Sequence, residues 1–242
     1  MTTADLRSPQ RSTYHHGDLA LALRDLAIGM IAEHGVDSFS LRRAAAELGV
    51  APSAIYRHYS DKSALLKAIC VEGFSLLGQQ WLDLMGSYVA SVDSSAQSIS
   101  LARFSAGADA YFRFALEQSV LFQLMYGEFG TGSADWSLED ENDPLNPFTI
   151  LDDILDELRD SGLISKRARV GAEVAAYAAI HGVSALAASG AFRGKDEAQM
   201  WEQLEIVKRN LLSGLRNEDV LNAPSTVMEI DPVTLIRTLK RS

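Results

Sequence analysis

Ser40-Leu-Arg-Arg-Ala-Ala-Ala-Glu-Leu-Gly-Val-Ala-Pro-Ser-Ala-Ile-Tyr-Arg-His-Tyr59 is the stretch on which the fold turns. Leu41, Ala44, Ala45 and Leu48 recur at helical spacing and give a narrow apolar face, with Ser40 placed to cap it. Ala44 and Ala45 are small enough to admit a second helix closely. Gly49 supplies the positive φ that a tight inter-helix turn needs, and Val50 plugs that turn. Pro52 suits the first turn of a following helix, where its missing N–H costs nothing. Over Pro52–Tyr59, Ile55 and Tyr59 face inward, which leaves Ser53, Ala54, Tyr56, Arg57 and His58 on the outer surface. Two short helices joined in this way form a helix-turn-helix, and the second presents its N-terminal residues to the major groove of DNA.

Helical periodicity continues on both sides. Leu19, Leu23, Leu26, Ala27, Met30 and Ile31 form one face of a helix over 18–34, stopped by Gly35. A fourth helix starts after Ser60 and runs to about Met85. Residues 86–100, rich in Ser and small side chains, read as a loop or weak helix. Helices are expected over 101–118, 120–129, 148–160 and 197–215, with an Ala-rich helix over 167–189. Gly162 and Gly190 are stops. The acidic stretch 130–147 reads as a long loop able to act as a mobile cover. A short helix over 232–240 is a further expectation. The result is an all-α chain: an N-terminal three-helix helix-turn-helix DNA-binding domain plus a C-terminal helical ligand-binding and dimerisation domain. Boundaries are set at 1–66, 67–217 and a tail at 218–242.

The run 14–69 resembles the tetracycline-repressor (TetR) family. That family shows a Gly-Val-Ser turn, a recognition helix ending Tyr-x-His-Phe, and a short linker with Lys. Here stand Gly49-Val50-Ala51, Tyr56-Arg57-His58-Tyr59 and Asp61-Lys62-Ser63-Ala64-Leu65-Leu66. The lead-in Tyr14-His15-His16-Gly17-Asp18-Leu19 is similar to a subgroup with a so-called WHG C-terminal domain, and Ala179-Ile180-His181-Gly182 sits where its signature belongs, with Ile180 in place of tryptophan. Ala51 replaces the usual Ser, forfeiting a cap worth roughly 1 kcal/mol and one phosphate contact. The resemblance implies that Tyr56, His58 and Lys62 contact the DNA backbone. Ser53, Ala54 and Arg57 are then candidates for base-edge or groove contact, and Arg42 for phosphate or base. It also implies a cavity among the middle helices, for which the candidates are Phe104, Tyr111, Phe122, Met125, Tyr126, Tyr177 and His181; by their type most aromatics of this set are core. His181 is either a packing residue at a helix crossing or the polar group of the cavity.

Charge is permissive rather than decisive. The net charge is −10. Residues 1–70 nevertheless hold eight Lys/Arg against seven Asp/Glu and four of the five His, so a near-neutral head sits on an acidic body. One cysteine, Cys70, excludes an internal disulfide. No apolar run has membrane-spanning length and no signal-peptide core opens the chain, which sets a cytoplasmic expectation with no membrane partner. No metal-ligand spacing, phosphate-binding Gly loop or Glu-x-x-His pair is present, so neither enzyme, metal site nor cofactor is expected. The pair His15-His16 fits a helix lead-in near phosphate better than a metal site. Asp152-Asp153 and Asp156-Glu157 read as a solvated face. The expected function is a DNA-binding transcriptional regulator, a homodimer built on 167–189 and 197–215, bound to a palindromic double-stranded operator and released by an apolar small molecule that enters between the fourth helix and the helices at 101–129 and 148–189. The alternatives are a regulator controlled by a protein partner and a helical-bundle enzyme.

Overall fold

The computed structural model describes residues 16–133 and 144–217, with side chains from residue 19 on. The expectations for 218–242, for His15 and for most of the acidic stretch fall outside the described residues. Among the described residues there are ten α-helices and one 3-10 turn, and no strand.

The head is built from α1 (His16–His34), a 3-10 turn (Val36–Ser38), α2 (Leu41–Glu47) and α3 (Pro52–Tyr56). Ser40 caps α2 by accepting from the Arg43 amide at 3.3 Å. Gly49 takes φ +66°. The amides of Gly49 and Val50 then close back on the carbonyls of Ala46 and Ala45, satisfying the helix end. Leu23, Ala27, Leu41, Ala44, Ala45 and Ile55 are buried together. Each large side chain so buried contributes about 1.5–3 kcal/mol.

The fourth helix, α4 (Lys62–Val89), is 28 residues long and capped by Asp61, which accepts from the Ala64 amide at 2.8 Å. It runs past both the expected end at Met85 and the boundary set at residue 66. The apolar cluster does the same, extending without a break from Leu23 and Ile55 through Leu66 and Phe74 to Phe112 and Leu204. Glycine on α4 marks a close approach: a Cβ at Gly73 would lie 2.6 Å from the Met125 Sδ.

The body follows as α5 (Ala96–Glu117), α6 (Ser119–Met125), α7 (Pro147–Asp160), α8 (Lys166–Arg169), α9 (Ala172–Ala188) and α10 (Glu197–Arg216). Residues 86–100, expected as a loop or weak helix, mostly belong to the ends of α4 and α5, leaving a short link. α5 is the centre. Every residue from Ala106 to Phe112 is buried, and α4, α6, α7, α9 and α10 all pack on it. A helix buried on all sides must carry small residues where neighbours come closest, which explains Ala106, Gly107, Ala108 and Ala110.

One helix reads differently in three dimensions. The segment 167–189, expected as continuous, is broken: Val170 is extended and 84% exposed, and Gly171 sits at φ +76°. Ser165 caps the short α8, and Gly171 restarts the chain in α9. Periodicity alone passed over the break because Ala168 and Ala172 keep helical spacing on both sides. The break turns Arg169 onto Asp152 at 2.5 Å, Asp156 at 2.6 Å and Glu173 at 2.8 Å. Arg103 pairs with Glu157. The acidic face of α7 is thus ion-paired rather than simply solvated.

Candidate nucleic-acid interface and interior cavity

The outer surface of the head carries the residues expected there. Arg42, Ser53, Tyr56, Arg57 and His58 are exposed, and Ala54 is half-buried. Arg42, Arg43 and Arg57 have no ion-pair partner among the described residues, so their guanidinium groups face solvent without local neutralisation. Tyr56 is 44% exposed, unusually open for a tyrosine one residue from the fully buried Ile55. Ala51 opens α3 with no side-chain cap. Lys62 differs from its expected setting. It is half-buried, and its ammonium donates to the Val36 carbonyl at 2.5 Å, tying the start of α4 to the 3-10 turn of the head. Arg24 on α1 and Glu72 on α4 make a second tie.

In the body, α4, α5, α7 and α9 enclose a cavity with a free volume of about 40 Å³. Trp81 comes from α4. Phe104, Gly107, Ala108 and Tyr111 come from α5, and Tyr126 follows α6. Pro147, Phe148, Leu151 and Ile154 come from α7, and Ala176, Tyr177, Ile180 and His181 from α9. None carries a formal charge at neutral pH. The Tyr111 hydroxyl shares a 2.8 Å hydrogen bond with His181 Nδ1. The His181 ring stacks on Tyr177 (5.2 Å between centroids, 18° between planes) and on Phe122 (5.5 Å, 23°). Tyr126 meets it edge-on at 4.5 Å. Burial pushes the phenols of Tyr111, Tyr126 and Tyr177 up and the His181 imidazole down, because the charged forms lose their hydration. The wall is therefore aromatic, hydrogen-bonding and uncharged.

Two buried polar features lie close by. The Trp81 Nε1 donor is buried with no hydrogen-bond partner. A Cβ on Gly107 would sit 2.3 Å from that nitrogen, so it is the missing side chain that lets the indole edge lie on α5. On another side of α5, Asp109 is buried against Lys208 of α10, with Nζ donating at 2.7 Å. Tyr88 of α4 donates to the second Asp109 oxygen, and Glu205 also pairs with Lys208. Burial and that bond push the Tyr88 phenol up to about 12. Burial likewise pushes the Cys70 thiol up to about 12, leaving it unreactive. Among the described residues no group of His, Cys, Asp and Glu is placed to hold a metal ion, and no helix is long and apolar enough to cross a membrane.

Residues 23–69 match the family model described as bacterial regulatory proteins, tetR family, and residues 104–205 match tetracyclin repressor-like, C-terminal domain. The chain belongs to the TetR family. The head of this TetR-family regulator and its helical body are thereby matched separately, by models of regulators rather than of enzymes. An uncharacterized HTH-type transcriptional regulator of Haemophilus influenzae is 32% identical over 115 residues, covering 47% of this chain and 52% of that protein. The chain thus matches about half the length of that curated relative. Among solved structures, a protein of unknown function from Rhodococcus sp. RHA1 is 30% identical with a TM-score of 0.64, covering 86% of this chain and 100% of the other. The fatty acid degradation regulator FadR of Bacillus halodurans, 17% identical, has a TM-score of 0.60 over 84% of this chain and 100% of its own, a likeness of fold alone.

Of the seven residues expected at the cavity of this TetR-family chain, Phe104, Tyr111, Tyr126, Tyr177 and His181 line it. Phe122 and Met125 do not. Phe122 lies behind His181, and Met125 fills the gap over Gly73, where its flexible thioether fits an irregular space. The fourth helix and the helix at 148–160 were expected to border the entry of a small molecule, but none of their lining side chains, Trp81, Pro147, Phe148, Leu151 and Ile154, was among the expected residues. Phe74, Leu77 and Trp81 share one face of α4 by spacing, and Phe148, Leu151 and Ile154 do so on α7, so their inward direction was readable. Which of those faces meet at a gap was not. The Asp109–Lys208 pair was also missed: its members stand 99 residues apart, and either alone reads as a surface charge.

Proposed function

We propose that this TetR-family chain is a repressor that binds a pseudo-palindromic operator as a homodimer and is released by an apolar small molecule. In this reading residues 1–66 meet DNA and residues 67–217 dimerise and hold the effector. The observation that carries it is α4. This one helix is pinned to the head by Lys62, Leu65, Leu66 and Glu72 and lines the cavity with Trp81. At 1.5 Å per residue it is about 42 Å long. A molecule that parts the cavity walls moves the helix on which the head is mounted, and in a dimer that changes the spacing of the two heads. Such coupling amounts to about 1–3 kcal/mol, or roughly 5–150-fold in affinity.

The interface roles follow the exposed residues. Tyr56 and His58 meet phosphates; Lys62, half-buried and bonded to the Val36 carbonyl, serves phosphate only with the N–H groups that this bond leaves over. Ser53, Ala54 and Arg57 face base edges or the groove floor, and Arg42 approaches from α2. The dimer forms through α9 and α10. On α9 an outward stripe of Val174, Ala175, Ala178 and Leu186 is exposed, with Val174 at 66% and Leu186 at 49%. Small residues there permit close helix approach across a two-fold axis.

Selection of bound DNA from a random pool tests the reading. Symmetric half-sites, with affinity that falls steeply as salt rises, are expected. By linkage, an effector that weakens operator binding is itself bound more weakly, by the same factor, when operator is present. Recovery of no enriched sequence, or an asymmetric single site bound by a monomer, would refute it.

A further inference from the structure

The unpartnered Trp81 donor and the uncharged cavity wall limit the chemistry of what the cavity takes. We infer that it binds a flat, uncharged, largely apolar molecule bearing one hydrogen-bond-acceptor oxygen, such as a ketone, and that Trp81 Nε1–H donates to that oxygen. This rests on the effector reading above for its biological meaning but not for its test.

Trp81 is 5% exposed and lines the cavity, and its donor has no partner in the protein. Leaving a buried N–H unpaired is costly, so a ligand oxygen that satisfies it gains more than an ordinary exchange with water returns. The Tyr111 hydroxyl and His181 Nδ1 already share a bond within the wall. The free space is small, about 40 Å³, so a ligand must part the rings that face it, and a flat body parts them least.

Charge is excluded from both directions. No cationic side chain lines the cavity, so a carboxylate would enter without a partner and lose its hydration. Outside it, between the start of α7 and α9, lies an open groove that shares Phe148, Leu151 and Tyr177 with the cavity. Those three side chains form the partition, and Phe148 and Tyr177 touch at 5.7 Å between ring centroids. The groove bears Asp152, Asp153 and Glu173 against the single guanidinium of Arg169 that pairs with two of them, so its net charge stays negative and disfavours an anion on approach. A cation is drawn to this mouth, yet the wall within has no carboxylate to receive it.

The test uses one skeleton in four forms: indane, 1-indanone, indane-1-carboxylate and indane-1-trimethylammonium, titrated into the full-length protein by calorimetry without DNA. The ketone is expected to bind tightest, about 5- to 30-fold tighter than the hydrocarbon. Trp81→Phe keeps an aromatic ring and removes the donor, so it should bring the ratio of indanone to indane affinity, measured within the variant, down to about one. In the unmutated protein the Trp81 indole ¹H–¹⁵N resonance, assigned by triple-resonance spectroscopy, should move downfield with indanone and not with indane. This readout stands even if Trp81→Phe fails to fold. Carboxylate or ammonium binding tightest, equal affinities for indanone and indane, an unmoved indole resonance, or no binding by any of the four would overturn the inference. A chain that binds indanone through Trp81 and still holds its operator would instead sink the effector reading and leave this one intact.

Discussion

The head and the body put the residues proposed to bear function in opposite places. In the head, Tyr56, Arg57 and His58 are exposed and adjacent, while Ile55 beside them is fully buried and carries the fold. In the body, Trp81, Tyr111, Tyr177 and His181 come from three helices, far apart in sequence, and serve both core and cavity. Stability and recognition are therefore separable in the head and shared in the body. A residue can be changed in the recognition helix without loosening the protein, whereas the cavity wall cannot be altered without touching the packing.

The largest expected effect is in the body. Lys208→Met leaves Asp109 buried without its ammonium partner and should cost about 3–5 kcal/mol in urea unfolding, whereas the double variant Asp109→Leu/Lys208→Met should recover most of that loss. A small loss in Lys208→Met would mean that α10 holds its place without the pair. Arg57→Ala should cost about 1–3 kcal/mol of operator binding and relax specificity at one position, with no change in melting temperature. A drop in melting temperature comparable to that of a core variant would break the separation claimed for the head. A smaller gain is expected from Ala51→Ser, which restores a cap to α3; it should add up to about 1 kcal/mol to stability, read as a shift in the urea midpoint.

The smallest effect concerns pH. Burial holds the His181 pKa below its ordinary value near 6.5. Above that value the ring is neutral both folded and unfolded, and nothing is lost. As pH falls below it, the unfolded chain takes up the proton first, so stability declines through this window. His181→Phe should remove part of the decline between pH 7.5 and 5.5, measured as the difference in urea midpoint. An identical decline in both proteins would show that the imidazole is not shielded.

How far the sequence reached follows the same division. The helix-turn-helix was legible because its determinants are local: one alanine pair, one glycine at positive φ and one proline at a helix start, all within twenty residues and each with a single physical role. Helix stops at Gly162 and Gly190 were legible for the same reason. The break at Gly171 was not, since alanine keeps helical spacing across it and what favours the break is Arg169 reaching three carboxylates on two helices.

The sequence by itself determined that the chain is all helical, that its head has the form of a DNA reader, and which side chains that head presents. It also supplied the stock of aromatics from which a cavity could be made. Tertiary structure decided which of them face the gap, that Trp81 and α7 complete the wall, that Phe122 and Met125 stand behind it, and that Asp109 and Lys208 meet inside. The physical reason is distance along the chain. A recognition surface on one short helix is set by spacing over a few residues, but a cavity is the space left where four helices fail to fill the volume between them. That volume depends on how every pair packs, and no single helix encodes it.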